Sequence, residues 1–521
     1  MELKVYQDTI AAAQSICDAK AELAIETELL IPDYLPQVFK IVKCIVSLVT
    51  LQKQVTATRL TVEGYLRITV FYQSDTEETL CQTEQKIPFT KQLEIASGNY
   101  FAPEINVTGE TEYVNCRAVN QRRVDIRGAF ALSIHASAQT GQEVITALAD
   151  CGIEQKTVPL QSMQTVAVQE KLITAEESLH FEVLPEMVLS IVCSGVVSET
   201  KLMAGKAVLK GEIHAIVFYR TAPGHTVLQL EKQIPFHEIM EVEGADEGCT
   251  ALAFADPTGC TLAASEDAAQ NLSVTAVLSL KVYRTVQVLS VVDAFSTRYE
   301  TEITTQDIVL EREAELFVRE IEAVASGPVP DEDGVIVTAF AQAMPPEPLL
   351  QDGQIILRGR VFVQILCANV LGEIDCYDKV CEYTLPNGYH IPPEEFSLTA
   401  QAQVLQVAAH KSGKDMSAAV LMRVKGIVTQ KQKISVASSV ICTDLRVPTA
   451  QNAALRIYYA QAGENLFDIA KQYAASPAEI AAANAVDAEQ LAEKTQLLIP
   501  QIPFLTQNGK GGESDGSNTY L

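Results

Sequence analysis

Apolar and polar residues alternate with a period of two through several separated blocks of this chain. LTVEGYLRITVFYQ (Leu60 to Gln73) is one such block, and AVLKGEIHAIVFYR (Ala207 to Arg220) and IILRGRVFVQILCA (Ile355 to Ala368) repeat its pattern. All three are rich in Val, Ile, Thr, Phe and Tyr. Successive side chains of a strand point to opposite faces, so each block predicts a strand with one face buried. Their glycines, Gly64, Gly211 and Gly359, set the spacings at 211 − 64 = 147 and 359 − 211 = 148 residues. A glycine inside a strand predicts a bulge or a close approach of another backbone.

The blocks belong to a longer repeat. EQKIPFTKQLEI and EKQIPFHEIMEV follow the first two and align Ile87-Pro88-Phe89 with Ile234-Pro235-Phe236. The third copy reads KVCEYTLPNGYH, with Leu385-Pro386 in place of Ile-Pro and no Phe, which makes it the divergent one. Upstream, LPQVFKIVKCIVSLV (from Leu35) matches LPEMVLSIVCSGVV (from Leu184). Each copy closes with a second strand-like block: RRVDIRGAFALSIHA, NLSVTAVLSLKVYR and AVLMRVKGIVTQKQ. Proline cannot donate to a ladder, so the Ile-Pro-Phe segments predict edge strands or turns. The expectation is a mainly β protein with three tandem sandwich-like or open-barrel modules over residues 1–165, 166–312 and 313–447. Modules of this size can each bury a core, so they are expected to behave as separate beads. Their edge strands would offer contact surfaces for partners or for self-association.

The texture changes after residue 447. Residues 448–455 read as a polar linker, and a second, small domain is expected over 456–502. RIYYAQ predicts a strand. Leu466, Ile469, Ala470 and Tyr473 then recur at the spacing of an amphipathic helix, with Asn465 as its N-cap. Ser476-Pro477-Ala478-Glu479 combines a capping Ser, Pro at the first helical position and Glu three residues after the cap, which predicts a second helix running toward Asn484. QLLIP (Gln496 to Pro500) predicts a closing strand. Residues 503–521, rich in Gly, Ser and Asn, are expected to be disordered.

Composition narrows the function classes. Of 521 residues, 48% are hydrophobic and 20% charged, which predicts folded domains rather than a disordered polymer. A formal charge of −27 argues against a nucleic-acid partner, because phosphate-backbone binding draws its affinity from Lys and Arg. The first residues show no apolar core followed by a small-residue cleavage site, so no secretion signal is read there, and no apolar run reaches the length of a membrane span. The twelve cysteines have no repeated spacing and read as reduced, mostly buried thiols.

Candidate chemistry is sparse. Cys376 and Cys381 near His390 lack zinc spacing, and Asp331-Glu332-Asp333 reads as a solvated loop rather than a calcium site. His237-Glu238 has Glu241 where a zinc helix would carry its second His. His214 reads as structural. No phosphate loop or nucleophile elbow is present, so no catalytic residue, cofactor or metal is expected and the chain is not expected to be an enzyme.

EGYLRITVFY and KGEIHAIVFY, each followed by an Ile-Pro-Phe segment, resemble the SPOCS domain, the spore coat assembly module of endospore-forming Firmicutes. YYAQAGENLFDIAKQY, AEIAAANAVD and QLLIP resemble the opening, middle and end of a LysM domain. The resemblance implies a βααβ fold for the small domain. Its ligand or partner groove would lie between the loop at Gly463, Glu464, Asn465 and Leu466 and the loop after Asn484, with Ile480 and Asn484 among the groove residues. The usual Asp-Thr of that signature is Glu464-Asn465 here, and Lys494 stands where Gly usually precedes the last strand. The resemblance further implies a non-enzymatic scaffold in mother-cell cytoplasm at the forespore surface, docked through the LysM domain to the coat's basement-layer ATPase. Peptidoglycan binding in cell wall or spore cortex is the alternative.

Overall fold

The computed structural model describes residues 2–56, 58–74, 79–221, 227–264, 270–328, 333–446, 455–486 and 490–500. Residues 448–454 of the linker, the C-terminal tail, and Asp331 and Glu332 of the acidic loop lie outside them, while Leu455 already belongs to a strand. The described chain is mainly β. The first unit has six strands: β1 (Lys4–Leu30), β2 (Val38–Val55), β3 (Arg59–Ser74), β4 (Leu80–Glu94), β5 (Phe101–Asn120) and β6 (Arg123–Ala149). They form two antiparallel sheets, β1-β6-β5 and β2-β3-β4, which face each other over a core containing Ile25, Leu66, Ile68, Val70, Ile126 and Phe130.

The second unit follows the same order with β7 (Ile153–Leu179), β8 (Pro185–Met203), β9 (Lys206–Thr221), β10 (Val227–Glu241), β11 (Thr250–Ala264) and β12 (Gln270–Ser296). Here one pairing, Ala255 with Gly195, joins the two halves into a six-stranded sheet. The third unit has β13 (Tyr299–Pro328), β14 (Val335–Ala343), β15 (Glu347–Gln351), β16 (Gln354–Ala368), β17 (Ile374–Tyr389), β18 (Phe396–Ser412) and β19 (Asp415–Leu445). The turns between units therefore fall at residues 150–152 and 297–298, whereas positions 165/166 and 312/313 lie inside β7 and β13.

The glycines of the repeated block each sit on the central strand of a three-stranded layer, opposite an aromatic ring. Gly64 pairs with Phe89, Gly211 with Phe236 and Gly359 with Tyr383. A Cβ at Gly64 would lie 2.2 Å from the Val49 carbonyl oxygen, and one at Gly211 would lie 2.1 Å from that of Val196. The neighbouring strand bulges at those rungs, between Thr50 and Gln52 and between Val197 and Glu199. The glycine thus serves both expected purposes, a bulge opposite it and a close approach over it. In the third unit the neighbour is interrupted instead, between Ala343 and Glu347, and the Tyr383 hydroxyl donates to the Met344 carbonyl at 2.7 Å. The divergent copy therefore keeps its aromatic residue. Leu385 and Pro386 fall in a register break of the β16–β17 ladder and are not the counterparts of Ile-Pro. The Pro-bearing strands β4 and β10 lie at sheet edges, where a missing donor costs no ladder bond.

The three units are not separate beads. Strands β1, β6, β7 and β12 each have 27 residues, about 90 Å when extended, whereas β3 and β4 have 16 and 15, about 50 Å. The long hairpins overhang their own sandwiches and carry apolar residues that nothing within the unit can cover. Ile10, Ala12 and Val144 of the first unit meet Leu160 of the second and Ile308, Leu310 and Val436 of the third in one core. Ile145, Leu148, Val291, Ala294, Ala437 and Val440 form another. Elsewhere Phe71, Leu189, Phe218 and Leu366 again bring all three together, with Phe340 stacked on Phe71 at 5.3 Å and edge-on to Phe218 at 5.2 Å. Three repeats thus fold as one body.

The small domain runs β20 (Leu455–Ala460), α1 (Leu466–Tyr473), α2 (Pro477–Asn484) and β21 (Thr495–Pro500), with β20 and β21 antiparallel. Asn465 caps α1, its side chain accepting from Phe467 N at 2.8 Å. Pro477 opens α2, while the Ser476 side chain makes no capping bond. Among the described residues no helix is long and apolar enough to cross a membrane.

Candidate functional site

The residues expected to form the groove of the small domain divide into core and frame. Leu466 and Ile480 are buried with Ile469, Leu497 and Ile499, so they hold the domain together and do not line a surface. Glu464 accepts from the Tyr458 hydroxyl at 3.1 Å and from Gln461 N at 2.9 Å, which engages both carboxylate oxygens. Gly463 adopts φ +92°, a conformation that favours glycine, and its carbonyl accepts from Gln490 Nε2 at 3.0 Å. Asn484 donates to the carbonyls of Ile480 and Leu498 and accepts from Leu498 N at 2.7 Å. Its amide ties α2 to β21. The structure therefore brings Gly463, Glu464, Asn465 and Asn484 into two loop-end frames whose polar groups are mostly consumed by the domain's own backbone. Exposed on α2 are Ala478, Glu479, Ala482 and Ala483.

The small domain is docked on the β body. Phe295, at the end of β12 and only 1% exposed, enters the small domain's core and meets Phe467 edge-on at 5.2 Å. Lys471 of α1 donates to Asp293 at 2.6 Å beside it. These contacts use α1 and leave the outer face of α2 open.

Sequence periodicity missed a second region, where the three units meet. A chamber of about 910 Å³ opens there, lined among others by Lys53, Glu170, Phe254, Asp256, Lys281 and Gln401. Lys53 pairs with Glu170 and Lys281 with Glu104, while Asp256 accepts only from the neutral amide of Gln401. Burial pushes the carboxyl of Asp256 up, as it does that of Glu311 nearby. Glu104 on β5 accepts from Lys281 at 2.7 Å and from the Tyr283 hydroxyl at 3.1 Å, both on β12. The polar faces of these strands look solvent-directed in sequence and are buried only by the neighbouring unit. Among the described residues no group of three His, Cys, Asp or Glu side chains is placed to hold a metal ion.

Lys425 of β19 shows what this burial costs. Its ammonium reaches the Ala253 carbonyl at 3.1 Å, and desolvation, followed by repulsion from Arg423, lowers its pKa from 10.5 to about 8. Between pH 8 and 10.5 the unfolded chain binds more protons at this residue, so stability rises with pH across that window. Below pH 8 the penalty is present in full and amounts to at most about 3 kcal/mol. Lys425→Met is expected to stabilise the protein at pH 7, with the gain shrinking above pH 8, as measured by urea unfolding at a series of pH values.

The described chain is thus a body of fused β sandwiches carrying one docked βααβ domain. Residues 37–119 and 186–262 match the family model described as SipL, SPOCS domain. These two stretches are similar to the SPOCS domain of SipL, which suggests an involvement in spore coat assembly. The two matched stretches cover β2 to β5 and β8 to β11, the strands that build the compact part of the first two sandwiches. No curated protein and no solved structure matches the chain.

Proposed function

We propose that this chain is a non-enzymatic scaffold of the spore coat, working in mother-cell cytoplasm at the forespore surface. In this reading the small domain is LysM-like and docks to the coat's basement-layer ATPase, while the fused SPOCS body holds further coat proteins or a second copy of itself. One observation carries the preference for a protein partner over peptidoglycan. The groove loops spend Glu464, Asn465 and Asn484 on internal hydrogen bonds, leaving few free polar groups to match sugar hydroxyls. The face of α2 with Ala482 and Ala483 is exposed and is the surface through which a protein partner would dock.

The full chain is expected to co-precipitate the purified basement-layer ATPase and to stay in the supernatant with peptidoglycan sacculi. Ala482→Arg, an exposed change that leaves the fold intact, is expected to weaken ATPase capture at least tenfold. Saturable binding to sacculi that Ala482→Arg does not affect would overturn this reading in favour of the wall.

A further inference from the structure

All twelve cysteines are free thiols, yet four of them are arranged in two pairs at corresponding places. Cys116 on β5 pairs in register with Ile126, and Cys260 on β11 pairs with Val274. These partners occupy the same rung of the closing block of their repeats, 274 − 126 = 148 residues apart. Across the interior, Cys116 meets Cys44 of β2 and Cys260 meets Cys193 of β8, each thiol close enough to hydrogen-bond its partner. Cys44 lies in the core of its unit, and Cys116, Cys193 and Cys260 are partly buried against the cores of theirs. In the third unit the same rung holds Val404 opposite Met422, and no thiol is present.

The position of the pairs gives them a use. Each spans the seam between the two halves of a sandwich. In the first unit β2 and β5 belong to different sheets, and in the second β8 and β11 share a single pairing. No backbone ladder crosses this seam in the first unit, and a single rung crosses it in the second.

We propose that Cys44–Cys116 and Cys193–Cys260 are modification sites, dithiols that a small-molecule disulfide such as oxidised glutathione converts into two covalent staples across these seams. In each pair the member whose thiolate its surroundings favour reacts first. Cys116 and Cys260 are half-buried, and the hydrogen bond from the partner thiol favours their thiolates, taking Cys260 down to about 7. Arg67 of the first unit adds positive charge beside Cys260 while its guanidinium holds the Thr258 carbonyl at 2.7 Å. The Cys260 thiolate attacks one sulfur of the oxidised glutathione and expels a first glutathione thiolate. Cys193 then attacks the Cys260 sulfur of the mixed disulfide and expels the second. One protein disulfide forms, the two protein thiol protons end on two glutathione molecules, and two electrons pass from protein to glutathione. Cys116 and Cys44 follow the same course.

The test uses the full-length protein, purified reduced and incubated under native conditions with oxidised glutathione, then alkylated and digested for mass spectrometry. Linked peptides joining residues 44 to 116 and 193 to 260 are expected, with free thiols falling from twelve to eight or fewer. Cys260→Ser is expected to lose the second linkage and keep the first, and Cys116→Ser the reverse. Recovery of these four cysteines as free thiols, as single glutathione adducts, or linked to any other cysteine would overturn the proposal.

Discussion

Lys281→Ala is expected to destabilise the protein by about 3 to 5 kcal/mol, read as a fall in the urea midpoint, because it leaves a buried carboxylate without its cation. The Lys281 and Glu104 side chains are 9% and 13% exposed and 2.7 Å apart, and they belong to different units. Removing the ammonium strands Glu104 between the Tyr283 hydroxyl and the nearby Glu311 of the third unit, whose own carboxyl burial already pushes up. The double variant Lys281→Met, Glu104→Leu removes both charges and keeps volume, so it is expected to recover most of the loss. A double variant no more stable than Lys281→Ala would show that the loss does not come from the unpaired Glu104 carboxylate.

Phe295→Ala is expected to release the small domain from the β body, at a cost of about 3 to 5 kcal/mol for a truncated buried aromatic ring. The Lys471–Asp293 pair beside it is partly exposed, at 42% and 28%, and such pairs contribute under about 1 kcal/mol. Asp293→Ala should therefore leave the domain in place. Small-angle scattering distinguishes the two, with a larger radius of gyration expected for Phe295→Ala alone. If neither variant changes the scattering, docking rests on contacts other than Phe295.

The period-two blocks located the central strands of all three sandwiches, and Gly64, Gly211 and Gly359 marked the rung where the neighbouring strand bulges or breaks. Local chemistry was equally legible in the small domain. Asn465 caps α1 and Pro477 opens α2 because a cap and a fixed φ act within a few residues of themselves. The groove was less legible. Leu466 and Ile480 stand in core positions, and only the folded domain shows that Glu464 and Asn484 spend their polar atoms internally.

What the sequence determined by itself was strand identity, repeat length and the helix starts, since each depends on neighbours along one segment or on a pattern repeated every 147 or 148 residues. Tertiary structure decided that the repeats share their cores. Strands of 27 residues outreach the sandwiches they belong to, and the overhanging Ile10, Leu160 and Ile308 can be covered only by one another. It also decided that the Lys281 and Tyr283 face of β12 is interior. An alternating strand announces one buried face, and the second is buried here by a unit whose approach no local pattern encodes.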